Sequence, residues 1–288
     1  MSRILILGAT GYIGSNLANS LVRSGQYRVY GVARSPEKAK QLSLCLDPVN
    51  DPASYLDVIR NAHIDILVDV AGAGRGSHKF LEHIMQVGHE RLNAYKKAGI
   101  RGPKLGLIYC SGTWVHGSSE RVVSDLDMVG PEASIPPRAM VAWRVGLGKA
   151  IRKATDVLDV AIIRPALIYG RELRIWSKFF APLLEAVTAG SQEELTFPLD
   201  SHARPGLIHV DDVSCFQKAI ERFSLLAGSG NAVYPVLDFV TSQESMTEVF
   251  TAVAASYSFK GSVILSGNGG DLFNEAMSTT FNGFFEPR

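Results

Sequence analysis

Cysteine is scarce in this sequence: three in 288 residues, Cys45, Cys110 and Cys215, far apart and with no C-x-x-C pair. That scarcity argues against a disulfide framework. With no histidines interleaved at ligand spacing, it also argues against a zinc site, so no metal is expected. Long apolar runs are missing too. The first, Ile4 to Leu7, is far shorter than a membrane span and runs straight into a glycine-rich turn, so it reads as a strand rather than a signal peptide or membrane helix. Nor does charge of one sign dominate. The 29 basic and 28 acidic residues leave a formal net charge of +1, too little to draw the chain to nucleic acid or an anionic membrane. These absences point to a cytoplasmic protein in a reducing compartment, with a small-molecule substrate as its expected partner and a homodimer left open.

What is present is ample core material, 46% hydrophobic against 20% charged residues. It is laid out as alternating strands and helices, the pattern of a parallel sheet built from βαβ units. Strands are predicted at Arg3 to Leu7, Arg28 to Ala33, Ile64 to Gly72, Lys104 to Gly112 and Val157 to Pro165. Helices are predicted at Tyr12 to Ser24, from Pro36, at His78 to Ala98 and at about Pro137 to Thr155. Beyond Pro165 the alternation loosens. Helices are expected at Trp176 to Ala189, Val213 to Leu226 and Ser242 to Ser256, with strands at Leu195 to Leu199 and Ala232 to Phe239. The segment Gly267 to Gly270 and the tail to Arg288 read as irregular. The expected architecture is α/β: a doubly wound parallel sheet over residues 1–165 and a smaller C-terminal substrate lobe over 166–288, some of whose segments return to the sheet.

Gly8-Ala9-Thr10-Gly11-Tyr12-Ile13-Gly14 follows the first strand directly and opens the first helix. Glycines there allow a tight turn, a close approach of backbone to a pyrophosphate, and close helix-to-strand packing, while the helix N-terminus offers N–H groups to the phosphates. This is the fingerprint of a Rossmann dinucleotide site. Gly8, Thr10, Gly11, Tyr12, Ile13 and Gly14 are therefore its expected cofactor contacts. The end of the second strand chooses between cofactors: an acid there holds the ribose 2′-OH of NAD, an arginine the 2′-phosphate of NADP. Arg34 stands at that place with no acid beside it, which favours NADP over NAD.

With those residues in hand, the chain resembles the extended short-chain dehydrogenase/reductases, the group that holds nucleotide-sugar epimerases and many carbonyl reductases. The likeness runs through GATGYIG (8–14), VAG (70–72), SGTWVHG (111–117), RPALIYG (164–170) and HVDDV (209–213), in that order. It implies the Rossmann fold and a nicotinamide cofactor, and it adds Ala71, Gly72, Ser111, Arg144 and Pro165 to the expected cofactor contacts. It also implies a Tyr-x-x-x-Lys on the helix after the fifth strand, with tyrosine as proton donor. That motif is absent. The best register puts Met140 in the place of tyrosine and Arg144 in the place of lysine.

A hydride added to a carbonyl leaves an alkoxide that must gain a proton, and a thioether has none to give. Arg144 stays charged at any working pH, so it binds ribose or a developing oxyanion rather than acting as the acid. The remaining catalytic candidates are Ser111 and Thr113, whose hydroxyls can orient a carbonyl, although Gly112 holds the family's usual Ser/Thr position, and His116. Imidazole is the natural acid or base near neutral pH. The alternative for His116 is a structural turn position. Tyr169 is a further phenol, and Trp114 and Trp143 are an aromatic wall or core. His209, Asp211 and Asp212 read as the anchor and cap of the next helix rather than a metal or catalytic set. Three functions remain open: an atypical NADP-dependent oxidoreductase acting on a small carbonyl or alcohol, a dinucleotide-sensing regulator, and an isomerase, epimerase or cyclase that keeps its cofactor.

Overall fold

The computed structural model describes residues 1–33, 35, 37–38, 40, 47–49, 55–72, 76–119, 122–133, 135–172, 174–213, 216–217, 219–221 and 235–267. Two compact units are interleaved along the chain. One comprises Met1–Ser111, Gly146–Ile163 and Val210–Leu237, the other Gly112–Val145, Arg164–His209 and Asp238–Arg288.

The first unit is organised by a seven-stranded sheet. Its strands are β1 (Ser2–Leu7), β2 (Tyr27–Val32), β3 (Asp47–Val49), β4 (Ile66–Asp69), β5 (Leu105–Cys110), β6 (Leu158–Pro165) and, in chain order the tenth, β10 (Val236–Phe239). The order across the sheet is β10-β6-β5-β4-β1-β2-β3, and every pair from β3 to β6 runs parallel. Such a sheet is covered on both faces, so its strands are apolar throughout rather than alternating. All six residues of β5 are buried, as are seven of the eight in β6. Helix α1 (Tyr12–Ser24) buries Gly14, Leu17, Ala18 and Leu21, the i, i+3, i+4, i+7 stripe of an amphipathic helix. Helix α2 spans Tyr55–Asn61, and helix α3 (Ser77–Lys97) buries Leu81, Ile84, Val87 and Gly88. Helix α4 (Ala139–Lys153) contributes Leu147 and Ile151 to the same core.

Asp159 is the exception in β6, an acid half-buried among apolar neighbours. Burial pushes its carboxyl above the ordinary range, partly opposed by the Lys104 ammonium. A raised folded-state pKa means that ionisation disfavours folding: the contribution is fully present below the unfolded pKa and is lost as pH rises through the folded one. Asp159→Asn, which never ionises, should therefore raise the melting temperature slightly at neutral pH, with the gain vanishing below the carboxylate range. Melting curves at both pH values test this. An equal gain at both would mean that ionisation is not the cause.

In the second unit, β7 (Leu167–Tyr169) lies parallel to β9 (Gly206–His209), which pairs antiparallel with β11 (Ser242–Gln243). β8 (Leu195–Phe197) pairs with β12 (Val263–Leu265). Helices α5 (Ser177–Thr188) and α6 (Met246–Ser256) cover an apolar cluster of Trp176, Phe179, Phe180, Phe197, Leu199 and Phe250. The predicted helix from Ser242 is shorter than expected. Ser242 and Gln243 are taken up by β9, and Ser245, extended at φ −64°, ψ 130°, is the residue from which α6 starts. The predicted strand at Leu195 stops at Phe197, before Pro198, which has no N–H for a ladder. Asp211 and Asp212 lie in a 3-10 turn, Val210–Val213. Residues 214–215 and 222–234, which include parts of the expected helix and strand there, fall outside the described residues, as do much of the expected helix from Pro36 and the tail after Gly267.

Candidate functional site: a dinucleotide turn and a buried charged turn

β1 is flanked by β2 on one side and β4 on the other, so chain order reverses there. In an open α/β sheet this is where a crevice opens at the carboxyl ends of the strands. Gly8 leaves β1 at φ +83°, and a Cβ there would sit 2.7 Å from the Ala71 Cα and 2.8 Å from its nitrogen. Both the left-handed backbone and the contact with the chain after β4 require glycine. At Gly14 a Cβ would overlap the Gly8 carbonyl oxygen, so the absence of a side chain lets α1 start hard against the turn. Gly11 is the N-cap, its N–H donating to Gly8 O at 2.8 Å. Gly11 offers no side chain as a cap, and no acid lies in the first turn. That leaves its positive end to an external anion. Gly8 thus meets Ala71, and Ala71 N–H donates to the Asp69 carboxylate at 3.1 Å. A dinucleotide fits here on the structure's own terms: the cradle exists only because Gly8 and Gly14 lack side chains.

Beside the end of β4, the ring of Tyr55 lies 5.8 Å from that of Phe80. Burial raises the Tyr55 phenol pKa above its ordinary value, and the Asp69 carboxylate pushes the same way. Nothing local in the chain marks this group beyond the acid ending β4. Arg34, the predicted cofactor selector, falls outside the described residues.

Ser111 follows β5, half-buried, with its N–H donating to Ile163 O at 2.7 Å. Thr113–His116 then forms a single 3-10 turn in the second unit, ended by Gly117 at φ +71°, where a Cβ would overlap Ile135 O. Thr113 and His116 are both 2% exposed. The His116 ring points inward: its Nε2 lies 2.6 Å from Asp238 Oδ2, and Arg164 Nη1 lies 3.5 Å from Asp238 Oδ1. Pro165 is buried at the end of β6. Gly112 is extended, and a Cβ there would meet only Pro165 O at an ordinary 3.7 Å, so sterics do not explain the lack of a hydroxyl at that position.

Met140 and Arg144 sit one turn apart on α4, as the register predicts. Met140 is 37% exposed. Trp143 donates its indole N–H to Met140 O at 3.0 Å, and the Arg144 guanidinium lies over the Trp143 ring, 4.8 Å from its centre. Trp143 is exposed rather than core, whereas half-buried Trp114 packs on the apolar cluster of its unit. Tyr169 is 37% exposed and meets His209 edge-on at 5.1 Å. Among the described residues no group of three potential ligands is placed to hold a metal, and no helix is long and apolar enough to cross a membrane.

Sequence comparison decides the family. The profile of the NAD dependent epimerase/dehydratase family matches residues 4–225. The chain belongs to that family. A curated member, NAD-dependent epimerase/dehydratase terH of Aspergillus terreus (strain NIH 2624 / FGSC A1156), is 45% identical over 56 residues, covering 19% of this chain and 16% of that protein. The fold matches that of TunA, an NAD dependent NDP-hexosamine 5,6-dehydratase involved in tunicamycin biosynthesis. The TM-score is 0.62 at 19% identity, over 99% of this chain and 88% of that one. UDP-glucuronic acid 4-epimerase from Bacillus cereus, in complex with NAD, matches with TM-score 0.62 at 16% identity, over 96% and 97% of the two chains. At such identities the likeness is one of fold, and it agrees with the extended short-chain dehydrogenase/reductase resemblance carried by the motifs. This family member keeps the dinucleotide turn but has Met140 and Arg144 at the positions where that resemblance implies tyrosine and lysine.

Proposed function

We propose that this epimerase/dehydratase family member binds a nicotinamide dinucleotide along Gly8 to Gly14 and Ala71-Gly72, preferring NADP through Arg34, and supports hydride transfer with a small organic carbonyl or alcohol. The cradle at Gly8 and Gly14 carries this reading. When bound, the dinucleotide supplies the hydride donor or acceptor. The chain supplies orientation and charge: Ser111 and Thr113 as hydroxyls for the substrate oxygen, Arg144 as a fixed cation for ribose or oxyanion. Met140 has no proton to give, so the proton that completes a new alcohol, or is released when one is oxidised, is exchanged with solvent water.

A second reading is favoured by the family match: the dinucleotide is retained and the hydride is taken and returned within one epimerase- or dehydratase-type cycle.

Fluorescence titration with NADPH and NADH tests the binding. NADPH should bind about tenfold more tightly, a difference of roughly 1.4 kcal/mol, and Arg34→Ala should erase the difference. Equal affinities in the wild type would overturn the NADP preference, and no binding of either would overturn the whole reading. Loss of reduced-nicotinamide absorbance over a panel of carbonyl compounds supports net reduction. Binding without consumption supports the retained-cofactor cycle.

A further inference from the structure

His116, Asp238 and Arg164 come from three separate segments: the turn after β5, the strand β10 and the end of β6. All three are buried, His116 and Asp238 with side chains only 1% exposed and Arg164 with 10%. A carboxylate taken out of water is strongly disfavoured unless it is paired and hydrogen-bonded. Asp238 has both forms of compensation, a short bond to the His116 ring and the nearby Arg164 guanidinium. The carboxylate can only accept, so Nε2 of His116 carries the hydrogen. Nδ1 is buried and without a hydrogen-bond partner, so the bond at Nε2 is the one that orients the ring. Asp238 is itself presented by fixed backbone, since Ala166 N–H donates to Phe239 O at 2.9 Å. The turn is pinned a second time at Gly117, whose N–H donates to Trp114 O and whose α-carbon abuts Ile135 O.

We propose that Asp238 and Arg164 are positioning residues. They hold His116 in one tautomer and orientation, and thereby fix the Thr113–His116 turn so that its hydroxyl is preset for substrate. This rests on the functional reading above only for what the turn is preset to do; the clamp itself is a property of the folded chain. Arg164 neutralises the Asp238 charge, Asp238 orients the imidazole, and the imidazole anchors the turn. A mere packing role would need size and apolarity, whereas this one needs a charge, a counter-charge and a directed N–H.

The test uses the full chain labelled with 15N-histidine, with His116→Gln assigning the His116 signals. The ring nitrogens of His116 should show the Nε2–H tautomer at neutral pH. An Nδ1–H pattern or an exchanging mixture would overturn the proposal. Hydrogen exchange should then show peptides over 112–117 losing protection about tenfold or more in Asp238→Asn, as expected for a local opening. In Asp238→Asn/Arg164→Gln, where the charges balance again, thermal stability should recover but the turn should stay unprotected. Recovery of both would mean that the cluster only balances charge and positions nothing. If the Asp238 variants do not fold, the wild-type tautomer together with 112–117 exchange in His116→Gln decides the question. NADPH titration of the same wild-type sample reports on the functional reading separately, so the two can fail independently.

Discussion

Gly14→Val is expected to abolish measurable dinucleotide binding, weakening NADPH affinity by at least about a hundredfold, roughly 2.7 kcal/mol, and to lower the stability of the fold. The first atom of any side chain at position 14 would occupy the space of the Gly8 carbonyl oxygen, which is backbone and cannot turn aside as a flexible side chain can. Either α1 lifts from the turn or the turn opens, and in both cases the first-turn amides lose their aim. Gly14 also lies on the buried stripe with Leu17, Ala18 and Leu21, so the displacement spreads along the helix, and overpacking of this kind typically costs about 1–3 kcal/mol. Gly146→Ala is the matching control. That glycine lies in the interior of α4, and a Cβ added there would meet nothing within 4 Å. Alanine at this position should stabilise by about 0.5–1 kcal/mol. Titration and thermal melting of both variants check the pair. Near-wild-type NADPH binding by Gly14→Val would remove the glycine turn as the binding element.

Phe250→Ala should produce the largest loss of stability by truncation. Phe250 is fully buried, and its ring lies 4.7 Å from Phe197, 5.5 Å from Phe180 and 6.2 Å from Phe179, centre to centre. Removing it deletes the meeting point of three aromatic contacts and leaves a cavity that neighbours on α5 and β8 can fill only in part. Phe→Ala changes at such sites cost about 3–5 kcal/mol, which for a unit of this size is a melting-temperature drop on the order of 10 °C. A near-UV circular dichroism melt measures it. A drop of only a degree or two would mean that the cluster is a loosely packed wall open to a ligand.

The glycine turn was legible in the sequence because backbone sterics tie residue type to geometry over seven residues, with no distant partner needed. Strands β1, β2, β4, β5 and β6 were legible for a similar reason: parallel strands buried on both faces read as unbroken apolar runs. What escaped depends on partners far away in the chain. The three-residue strand β12 is defined by β8, which pairs Val263 with Leu195, and nothing local marks it as a strand. Ser242, the expected start of a helix, pairs instead with β9. Asp238 was hidden differently. In the run Val236 to Phe239, a single acid reads as the solvent-facing residue of an alternating strand, and its partner lies 122 positions upstream. His116 was legible as a titratable side chain, but the direction of its ring was not. The gap at Met140 was legible because a missing phenol is a matter of residue type and register alone.

The bare start of α1 carries a consequence for handling the protein. A helix with neither a side-chain cap at Gly11 nor an acid in its first turn is expected to attract multivalent oxyanions from the solution. Phosphate and sulfate buffers are thus expected to act as weak competitors rather than inert media. A dinucleotide titration repeated in phosphate should then give a weaker apparent affinity than one in an uncharged-buffer medium, and the melting temperature should be higher in phosphate.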